Sequence, residues 1–513
     1  MAEKFYLTTA IDYSNGDPHM GHALEKIGAD AIARYHRLIG DEVHFLMGMD
    51  EHGKKVAQEA VARGFSPQAF VDGVADRFLD TWRRLDISYD QFIRTTDPAH
   101  GRGVRALLER IFARNPDDFY EREYQGWYCV GCELFKRDNE IVDGRCVLHP
   151  SRPLEWTTER NWFFRLTKYQ PLLRRLFTER PDFLRPAIRR NEMLALIDQG
   201  LEDISVTRSG PGWGIPFPRP LSTGEEQTTW VWFDALPNYL TATGFPDPAF
   251  AERWPAQLHV IGKDISRLHA IIWPAQLAAA GLPLPDGVWA HGFVHVGGTR
   301  LSKTAGVTVT LDDAISRHGP DALRYFLLRE VPWDADGNFT WERFDGRYAA
   351  ELADGWGNLL SRVLAMIVRY LDGVVPAASP RSALHTLGDE ILGTYRTAMD
   401  NHLLHVGAAE VWRLVDRANR YVEERQPWTE AKQGDRAGLE ETLGTLVAAL
   451  ARISVLLSPF LPRKADEAWH ALGLDGPLLE AGWEAAQRPP TAGRTVAKPI
   501  PLFPKSESSS EAS

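Results

Sequence analysis

The sequence predicts an α/β fold in which an insertion splits a parallel sheet and an all-α helical bundle follows. Three observations predict it. Strand and helix patterns alternate near the start, an irregular stretch holding all the cysteines interrupts them, and the last third has helical periodicity. At 513 residues the chain is too long for one hydrophobic core, so several domains are expected.

The chain opens with a strand–helix–strand unit. Residues 4–11 (KFYLTTAI) have the aromatic and β-branched character of a strand, and Asp17 and Pro18 are a plausible N-cap and first helical residue. A helix is predicted to run from there to Gly40, and residues 42–50 (EVHFLMGMD) predict a second buried strand. Strands joined in this way are parallel, so the sheet is predicted to be Rossmann-like.

Strand signals return after the irregular stretch, at residues 228–236 (TTWVWFDAL) and 257–264 (QLHVIGKD). An insertion into one sheet explains this order better than two unrelated domains. Helical periodicity then continues to about residue 485, and the polar end of the chain is expected to be disordered. The predicted divisions are a first half of the sheet domain at 1–114, an inserted connective domain at 115–228, a second half at 229–295, a basic-loop and linker region at 296–350, a helical domain at 351–490 and a tail at 491–513.

Charge and hydropathy exclude several classes of protein. The formal net charge of −11 argues against non-specific coating of nucleic acid, although it permits a local basic surface for one structured RNA. No apolar run approaches the roughly 18 residues that span a bilayer, and the first residues lack a signal-peptide pattern. We therefore expect a cytoplasmic protein with no membrane partner.

Two histidines, His19 and His22, lie three residues apart at the predicted start of the first helix. Residues at this spacing share one helical face, and the backbone N–H groups there favour anions. Gly21 lets a ligand approach the backbone. The arrangement suits a nucleotide triphosphate whose phosphate oxygens accept hydrogen bonds from the imidazoles. Taken alone, two ordinary histidines are the simpler explanation.

A second signal is the basic stretch GGTRLSKTAG at residues 297–306. A mobile loop of this kind can close over a triphosphate, with Lys303 as a point charge and the Ser302 hydroxyl as a further donor. Taken alone, it fits a solvated surface loop equally well.

The three cysteines lie close together at Cys129, Cys132 and Cys146, and His149 follows the last of them. Two pairs with two intervening residues supply three thiolates and one imidazole, which match a closed tetrahedral Zn²⁺ site with no position left for water. We predict one structural zinc ion, because a redox pair would explain neither Cys146 nor His149.

Together the motifs resemble those of class I aminoacyl-tRNA synthetases. HMGH at 19–22 is similar to the His-Ile-Gly-His signature of that class, and RLSKT at 300–304 is a variant of Lys-Met-Ser-Lys-Ser. The blocks YSNGDPHMGHA, MDEHGKKV, WVWFDALPNY and HVIGKDISRLHAIIWPA narrow the resemblance to the methionyl-tRNA synthetase family, over about residues 5–485. Two residues depart from the pattern. Arg300 replaces the usual first lysine of the loop, and Asp12 stands where many members carry proline or a hydrophobic residue.

The resemblance implies a methionine-tRNA ligase. Such an enzyme activates methionine with ATP, accompanied by Mg²⁺, to methionyl-adenylate, and transfers it to the 3′ end of tRNA(Met). The catalytic residues implied are His19, His22, Lys303 and Arg300. The ATP contacts implied are Gly21, Gly262, Asp264, Ser302 and Lys303, with Asp264 reaching the ribose.

The methionine pocket implied by the resemblance is aromatic and apolar. Physical chemistry favours such a lining, because a flexible thioether offers no strong polar handle and sulfur makes favourable contacts with rings. Asp50 is implied to bind the substrate ammonium group. The implied pocket residues are Ile11, Tyr13, Asp50, Trp232, Ala235, Pro237, Tyr239, Ile265 and His269.

The helical domain is implied to bind the anticodon. Asn358 and Arg362 lie four apart on one helical face and can bind base edges, and Trp428 offers a ring for an unstacked base. Judged without the resemblance, the same residues fit a solvated helix face and a core tryptophan.

Three alternatives stay open at this point. A class I synthetase for another amino acid would keep the fold, although the insertion leaves no room for a long editing domain. A tRNA-binding homologue without activity would not need His19, His22 and Lys303. A small-metabolite nucleotidylyltransferase would not need the helical third. We expect a monomer, since no further domain follows the helical region.

Overall fold

The computed structural model describes residues 3–130, 134–136, 140–147, 149–210, 212–296, 299–300, 309–499 and 501–504. Its strands, in chain order, are β1 (Lys4–Thr9), β2 (Asp12–Tyr13), β3 (Glu42–Asp50), β4 (Gln91–Arg94), β5 (Phe119–Cys129), β6 (Leu134–Lys136), β7 (Ile141–Val142), β8 (Arg145–Cys146), β9 (His149–Pro153), β10 (Glu155–Phe164), β11 (Leu184–Arg185), β12 (Ile204–Ser205), β13 (Thr207–Ser209), β14 (Gln227–Thr229), β15 (Leu258–Gly262), β16 (Val288–His291), β17 (Val294–Val296), β18 (Thr299–Arg300) and β19 (Gly337–Phe339).

The helices occupy the spaces between strands and most of the chain after residue 310. They are α1 (Met20–Ile39), α2 (Lys54–Ala62), α3 (Pro67–Arg84), α4 (Pro98–Arg114), α5 (Gln170–Glu179), α6 (Ala187–Asp198), α7 (Val231–Ala235), α8 (Asn238–Thr241), α9 (Trp273–Ala280), α10 (Leu311–His318), α11 (Pro320–Glu330), α12 (Trp341–Arg347), α13 (Asn358–Tyr370), α14 (Ala383–Asp400), α15 (Leu404–Arg425), α16 (Pro427–Gln433), α17 (Arg436–Leu457), α18 (Pro462–Ala471) and α19 (Leu478–Gln487). π-Helical segments at Leu268–Ile272 and Tyr348–Gly357 directly precede α9 and α13. Among the helices described, none combines the length and the apolar character needed to cross a lipid bilayer.

The main sheet is parallel and has the order β11-β16-β15-β1-β3-β2, with β4 also paired to β3. Its central strand β1 pairs with β15 on one side and with β3 on the other, so strands from before and after the insertion meet there. This confirms the split Rossmann-like sheet. The edge strand β11 comes from within the range 115–228, so part of that stretch also completes the sheet, and the domain limits stay a prediction.

Helix α1 begins later than its predicted cap. It starts at Met20 and is capped by His19, so Asp17 and Pro18 precede the helix. Gly40 ends it in the left-handed conformation, with φ of 96°, as the sequence predicts. The change of cap matters because it makes a predicted catalytic side chain part of the helix start.

The prediction of a strand at residues 228–236 is wrong for most of that range. Only the end of β14 is extended there, paired with β13, whereas residues 231–235 form helix α7. β-Branched and aromatic residues favour strands, yet Trp230 and Phe233 are almost fully buried around this short helix. Tertiary packing has overridden local propensity.

The two faces of the sheet pack against separate cores. Leu7 and Phe45 face a core that includes α1 and α11, whereas Tyr6 and Leu46 face one that includes α4 and α9. Alternate residues of a strand point to opposite faces, which explains the division. The first core continues into α13, α14, α15 and α17, so the helical third shares its interior with the sheet.

A buried ion pair fixes the junction between the sheet and the helical third. Arg324 of α11 places Nη2 2.6 Å from Asp30 Oδ2 of α1, and both side chains are fully buried. Three further N–H groups of Arg324 donate to the carbonyls of Leu85, Pro459 and Phe460. Because an unpaired buried charge is costly, this guanidinium holds the two regions in one arrangement.

Candidate active site

Four of the predicted substrate-binding residues lie at the carboxyl ends of the parallel strands. Strand β1 leads into Ile11, β3 ends at Asp50, and β15 ends at Gly262. Tyr13 of β2 pairs directly with Asp50 of β3. Ligands of open parallel sheets bind at this edge, so the topology brings together residues that are far apart in sequence.

His19 and His22 form a reciprocal cap at the start of α1. The Gly21 backbone N–H donates to His19 Nδ1 at 3.1 Å, and the His19 N–H donates to His22 Nδ1 at 3.3 Å. The two rings stack with their centroids 3.8 Å apart. Because each Nδ1 accepts, the proton of each neutral ring lies on Nε2, from which it can be donated to a phosphate oxygen.

The cap also sets the charge of the second histidine. Burial lowers the pKa of His22 well below its usual value, and the neighbouring His19 and Lys26 lower it further. The ring is therefore neutral at pH 7. A Cβ added at Gly21 would lie 3.0 Å from His19 Cε1, so glycine leaves room for the capping ring.

Gly262 and Asp264 lie together where β15 ends. A Cβ on Gly262 would lie 2.9 Å from Asp264 Oδ1, so glycine allows the exposed Asp264 carboxylate to approach the strand end. Lys263, between them, pairs with Asp336 at 2.7 Å. The Asp264 carboxylate is open to solvent at the predicted ribose position.

The basic loop lies largely outside the described residues, and Ser302 and Lys303 are among those not described. Arg300 lies on β18, where it pairs antiparallel with His295 of β17. Strand β17 follows β16 of the main sheet closely. The start of the basic loop is therefore anchored next to the carboxyl edge of the sheet.

Tyr239 and His269 form a hydrogen-bonded wall at the predicted methionine pocket. Tyr239 Oη lies 2.7 Å from His269 Nε2, and His269 Nδ1 lies 3.1 Å from the Ile265 carbonyl oxygen. A carbonyl only accepts, so Nδ1 carries the proton and Nε2 accepts from the tyrosine. Burial lowers the pKa of His269 to about 4, which keeps the wall neutral. A neutral wall suits an apolar thioether.

The other predicted pocket residues differ in burial. Ala235, Pro237 and Asp50 are buried. Ile11, Trp232 and Ile265 are half-buried and pack against the same core as Tyr239. The π-helical segment Leu268–Ile272 carries His269, and such segments are frequent at functional sites.

The predicted zinc ligands that the structure describes converge. Cys129, Cys146 and His149 each place one ligand atom within 4.8 Å of the others, and Cys129 Sγ lies 3.8 Å from His149 Nδ1. Zn–S and Zn–N bonds of about 2.3 and 2.0 Å hold tetrahedral ligands about 3.5–3.8 Å apart, so the donor set fits the ion. Cys132 lies outside the described residues.

Arg362 and Trp428 lie together on the helical third. The guanidinium is 6.0 Å from the indole centroid, and Arg362 Nη2 lies 2.6 Å from Glu423 Oε1. Asn358 is exposed one turn earlier on α13, and Trp428 is 38% exposed. A polar helix face therefore adjoins an open indole, as required for the predicted anticodon contacts.

Sequence reasoning missed a buried ionic network beside the site. Lys26 Nζ lies 2.8 Å from Asp12 Oδ1 and 2.7 Å from Glu25 Oε1, and Glu25 Oε2 lies 3.2 Å from His291 Nε2. A signal was present in Asp12, which departs from the family pattern. A carboxylate in an otherwise apolar stretch needs a buried partner.

Comparison with protein families decides the class. A family described as "tRNA synthetases class I (M)" matches residues 5–151 and 136–364, and one described as "Anticodon-binding domain of tRNA ligase" matches residues 385–500. The chain belongs to the methionyl-tRNA synthetase family. As a methionyl-tRNA synthetase family member it is a ligase that forms aminoacyl-tRNA.

Individual methionyl-tRNA synthetases support the assignment. The methionine–tRNA ligase of Caldanaerobacter subterraneus subsp. tengcongensis is 41% identical over 94% of this chain and 76% of its own. That of Thermosynechococcus vestitus is 39% identical over 98% of each chain. Mycobacterium tuberculosis methionyl-tRNA synthetase bound by methionyl-adenylate has a TM-score of 0.92 at 38% identity, covering 98% of this chain and 100% of that one. Its free form has a TM-score of 0.85 at 36% identity, covering 99% of each.

Proposed function

We propose that the protein charges tRNA(Met) with methionine in two steps. In the first, the methionine carboxylate attacks the α-phosphorus of ATP, pyrophosphate leaves, and methionyl-adenylate stays bound. In the second, a hydroxyl of the terminal tRNA adenosine attacks the acyl carbonyl, and AMP leaves. Family membership supports the reaction, and the reciprocal cap of His19 and His22 at the substrate edge of the sheet is the observation that carries it.

Catalysis of the first step rests on positioning and charge stabilisation rather than covalent help. The Nε2–H groups of His19 and His22 donate to phosphate oxygens as negative charge shifts toward the leaving group. Lys303 and Arg300 neutralise the departing pyrophosphate, and Mg²⁺, when bound with ATP, offsets phosphate charge. The nucleotide is held by Gly21, Gly262, Asp264, Ser302 and Lys303.

Methionine selection rests on a neutral, hydrogen-bonded wall. The Tyr239 hydroxyl donates its hydrogen bond to His269. The wall formed by these two residues therefore presents aromatic rings to the thioether instead of a free hydroxyl donor. Asp50 binds the substrate ammonium group. The apolar contacts come from Ile11, Tyr13, Trp232, Ala235, Pro237 and Ile265.

The deciding experiment is exchange of pyrophosphate into ATP, run with each of the twenty amino acids separately. We expect exchange with methionine alone, because the neutral wall offers nothing to charged or strongly polar side chains. Exchange with a different amino acid would overturn the pocket assignment. No exchange from folded protein would overturn the activity and favour a tRNA-binding homologue.

We also propose one structural Zn²⁺ held by Cys129, Cys132, Cys146 and His149. When bound, the ion holds the two ligand pairs of the insertion together. Elemental analysis should give one zinc per chain, and Cys146→Ser should lose the metal and lower the melting temperature. Full zinc content in Cys146→Ser would contradict this ligand set.

We propose that Asn358, Arg362 and Trp428 recognise the anticodon. Base stacking on an aromatic ring contributes roughly 1–3 kcal/mol, so Trp428→Ala should lower kcat/KM for tRNA by about 5- to 150-fold. Methionine-dependent exchange should be unchanged, because Trp428 lies outside the site. Equal loss of exchange and of tRNA charging would contradict a recognition role.

We infer that the protein acts in the cytoplasm, where charged tRNA is consumed, and that it acts as a monomer. Sedimentation at micromolar concentration should give the mass of one chain. A stable dimer mass would overturn the second inference.

A further inference from the structure

Lys26 is a fully buried lysine on α1, one turn beyond His22. Its ammonium lies 2.8 Å from Asp12 Oδ1, 2.7 Å from Glu25 Oε1 and 2.8 Å from the Ala10 carbonyl oxygen. An ammonium has three N–H donors, so each has an acceptor. Burial alone would lower the pKa of Lys26, but Asp12 and Glu25 raise it, which keeps the group charged.

The three acceptors belong to two parts of the site. Ala10 and Asp12 flank Ile11, and Asp12 forms β2 together with Tyr13. These residues make up the chain segment that enters the predicted methionine pocket. Glu25 lies on α1, on the helix that begins with the two histidines.

Glu25 extends the contacts toward the basic loop. Its Oε2 lies 3.2 Å from His291 Nε2, and His291 Nδ1 lies 2.7 Å from the Gly292 carbonyl oxygen. A Cβ on Gly292 would lie 2.1 Å from the Ala335 carbonyl oxygen, so the chain is tightly held there. Strands β17 and β18, which carry the start of the loop, follow directly.

We propose that Lys26 is a positioning residue for adenylate formation: its ammonium aligns the methionine-binding segment 10–13 with the histidine turn of α1. The inference rests on the proposed function. The attacking carboxylate and the α-phosphorus must meet in line, and a displacement of about 1 Å can cost about a hundredfold in rate. His19 and His22 cap one another through local backbone groups, so their own geometry does not need the ammonium.

The test compares Lys26→Met with a matched variant on the same helix. Asp30 lies four residues further along and makes an equally buried ion pair, but with Arg324 at the domain junction. We expect Lys26→Met to raise KM for methionine about tenfold and to lower kcat for exchange about 10- to 100-fold, with KM for ATP within about threefold of wild type. Asp30→Asn should lower the melting temperature and leave the kinetic constants of the folded enzyme unchanged.

A purely structural role would give the two variants the same pattern, and wild-type kinetic constants in Lys26→Met would overturn the proposal. If Lys26→Met does not fold, Asp12→Asn provides the same test, with KM for methionine expected to rise and wild-type values counting against the proposal. Calorimetric titration with methionine and with ATP distinguishes a failure of the proposed function from a failure of the inference about Lys26. Absent exchange in the wild type would overturn the proposed function, whereas unchanged methionine affinity in Lys26→Met would overturn this inference.

Discussion

The proposed methionine side of the site and its proposed ATP side differ in how far the protein alone preorganises them. On the methionine side, Tyr239 and His269 are almost fully buried and hydrogen-bonded to each other, and Lys26 holds the adjoining segment. On the ATP side, His19 and Asp264 are exposed. A small apolar substrate offers little binding energy of its own, so its pocket must be preorganised. A triphosphate brings its own charge, and exposed donors suffice to receive it.

The largest expected effect is on the ATP side. His22→Asn keeps an acceptor for the His19 N–H but removes the donor at the Nε2 position, so kcat for exchange should fall by about 10²- to 10³-fold with KM for methionine unchanged. His22→Gln, which places an N–H near the Nε2 position, should retain more activity. Similar kcat values for the two variants, measured by pyrophosphate exchange, would show that the donor is not what matters.

On the methionine side the expected effect is smaller. Tyr239→Phe leaves His269 Nε2 without its donor, and an unsatisfied buried group costs about 1–3 kcal/mol. We expect KM for methionine to rise about tenfold and KM for ATP to stay constant. Tyr35→Phe removes another buried hydroxyl, bonded to Asp400 at 2.5 Å, and should alter stability alone. A change in KM for ATP in Tyr239→Phe would mean that the two sides are not separable.

The smallest expected effect is on stability as pH changes. Burial lowers the pKa of His269 to about 4, from 6.5 in the unfolded chain, so the unfolded state binds more protons between these values. The contribution of the neutral His269 to the free energy of unfolding is therefore present above pH 6.5 and is lost as the pH falls toward 4. Between pH 7.5 and 6.0 this one group accounts for about 0.8 kcal/mol. The free energy of unfolding, measured with urea at several pH values, should fall by about that amount more in wild type than in His269→Gln between pH 7.5 and 6.0. The same pH dependence in both proteins would contradict this prediction.

The sequence predicts local geometry well, but it predicts poorly which distant residues contact one another. The spacing of His19 and His22 predicted that the two rings point together, and the stacked cap confirms it, although His19 lies at the extended cap position and not on the helix itself. The cap rule nevertheless selected Asp17, because aspartate is a far more common cap than histidine. The cysteine spacing predicted a converging cluster, which the three described ligands form.

Lys26 shows why the contacts between distant segments could not be predicted from the sequence. A lysine in a helical pattern predicts a solvated side chain, and nothing in the local pattern reveals that Asp12 and His291 will come to the same buried place. The bond between Tyr239 and His269 is of the same kind, since family resemblance named both residues but not their contact. Such pairs are set by sheet topology, which brings distant segments to one edge.

The junction at Arg324 limits how this chain can be recombined. Its guanidinium binds Asp30 and also the carbonyls of Pro459 and Phe460, and Tyr35 of α1 contacts Asp400 of α14. A chimera that took its helical third from a relative would bring foreign partners to these groups. If the proposed anticodon contacts hold, transplanting anticodon specificity requires moving only the exposed surface around Arg362 and Trp428, with the buried junction kept from one parent.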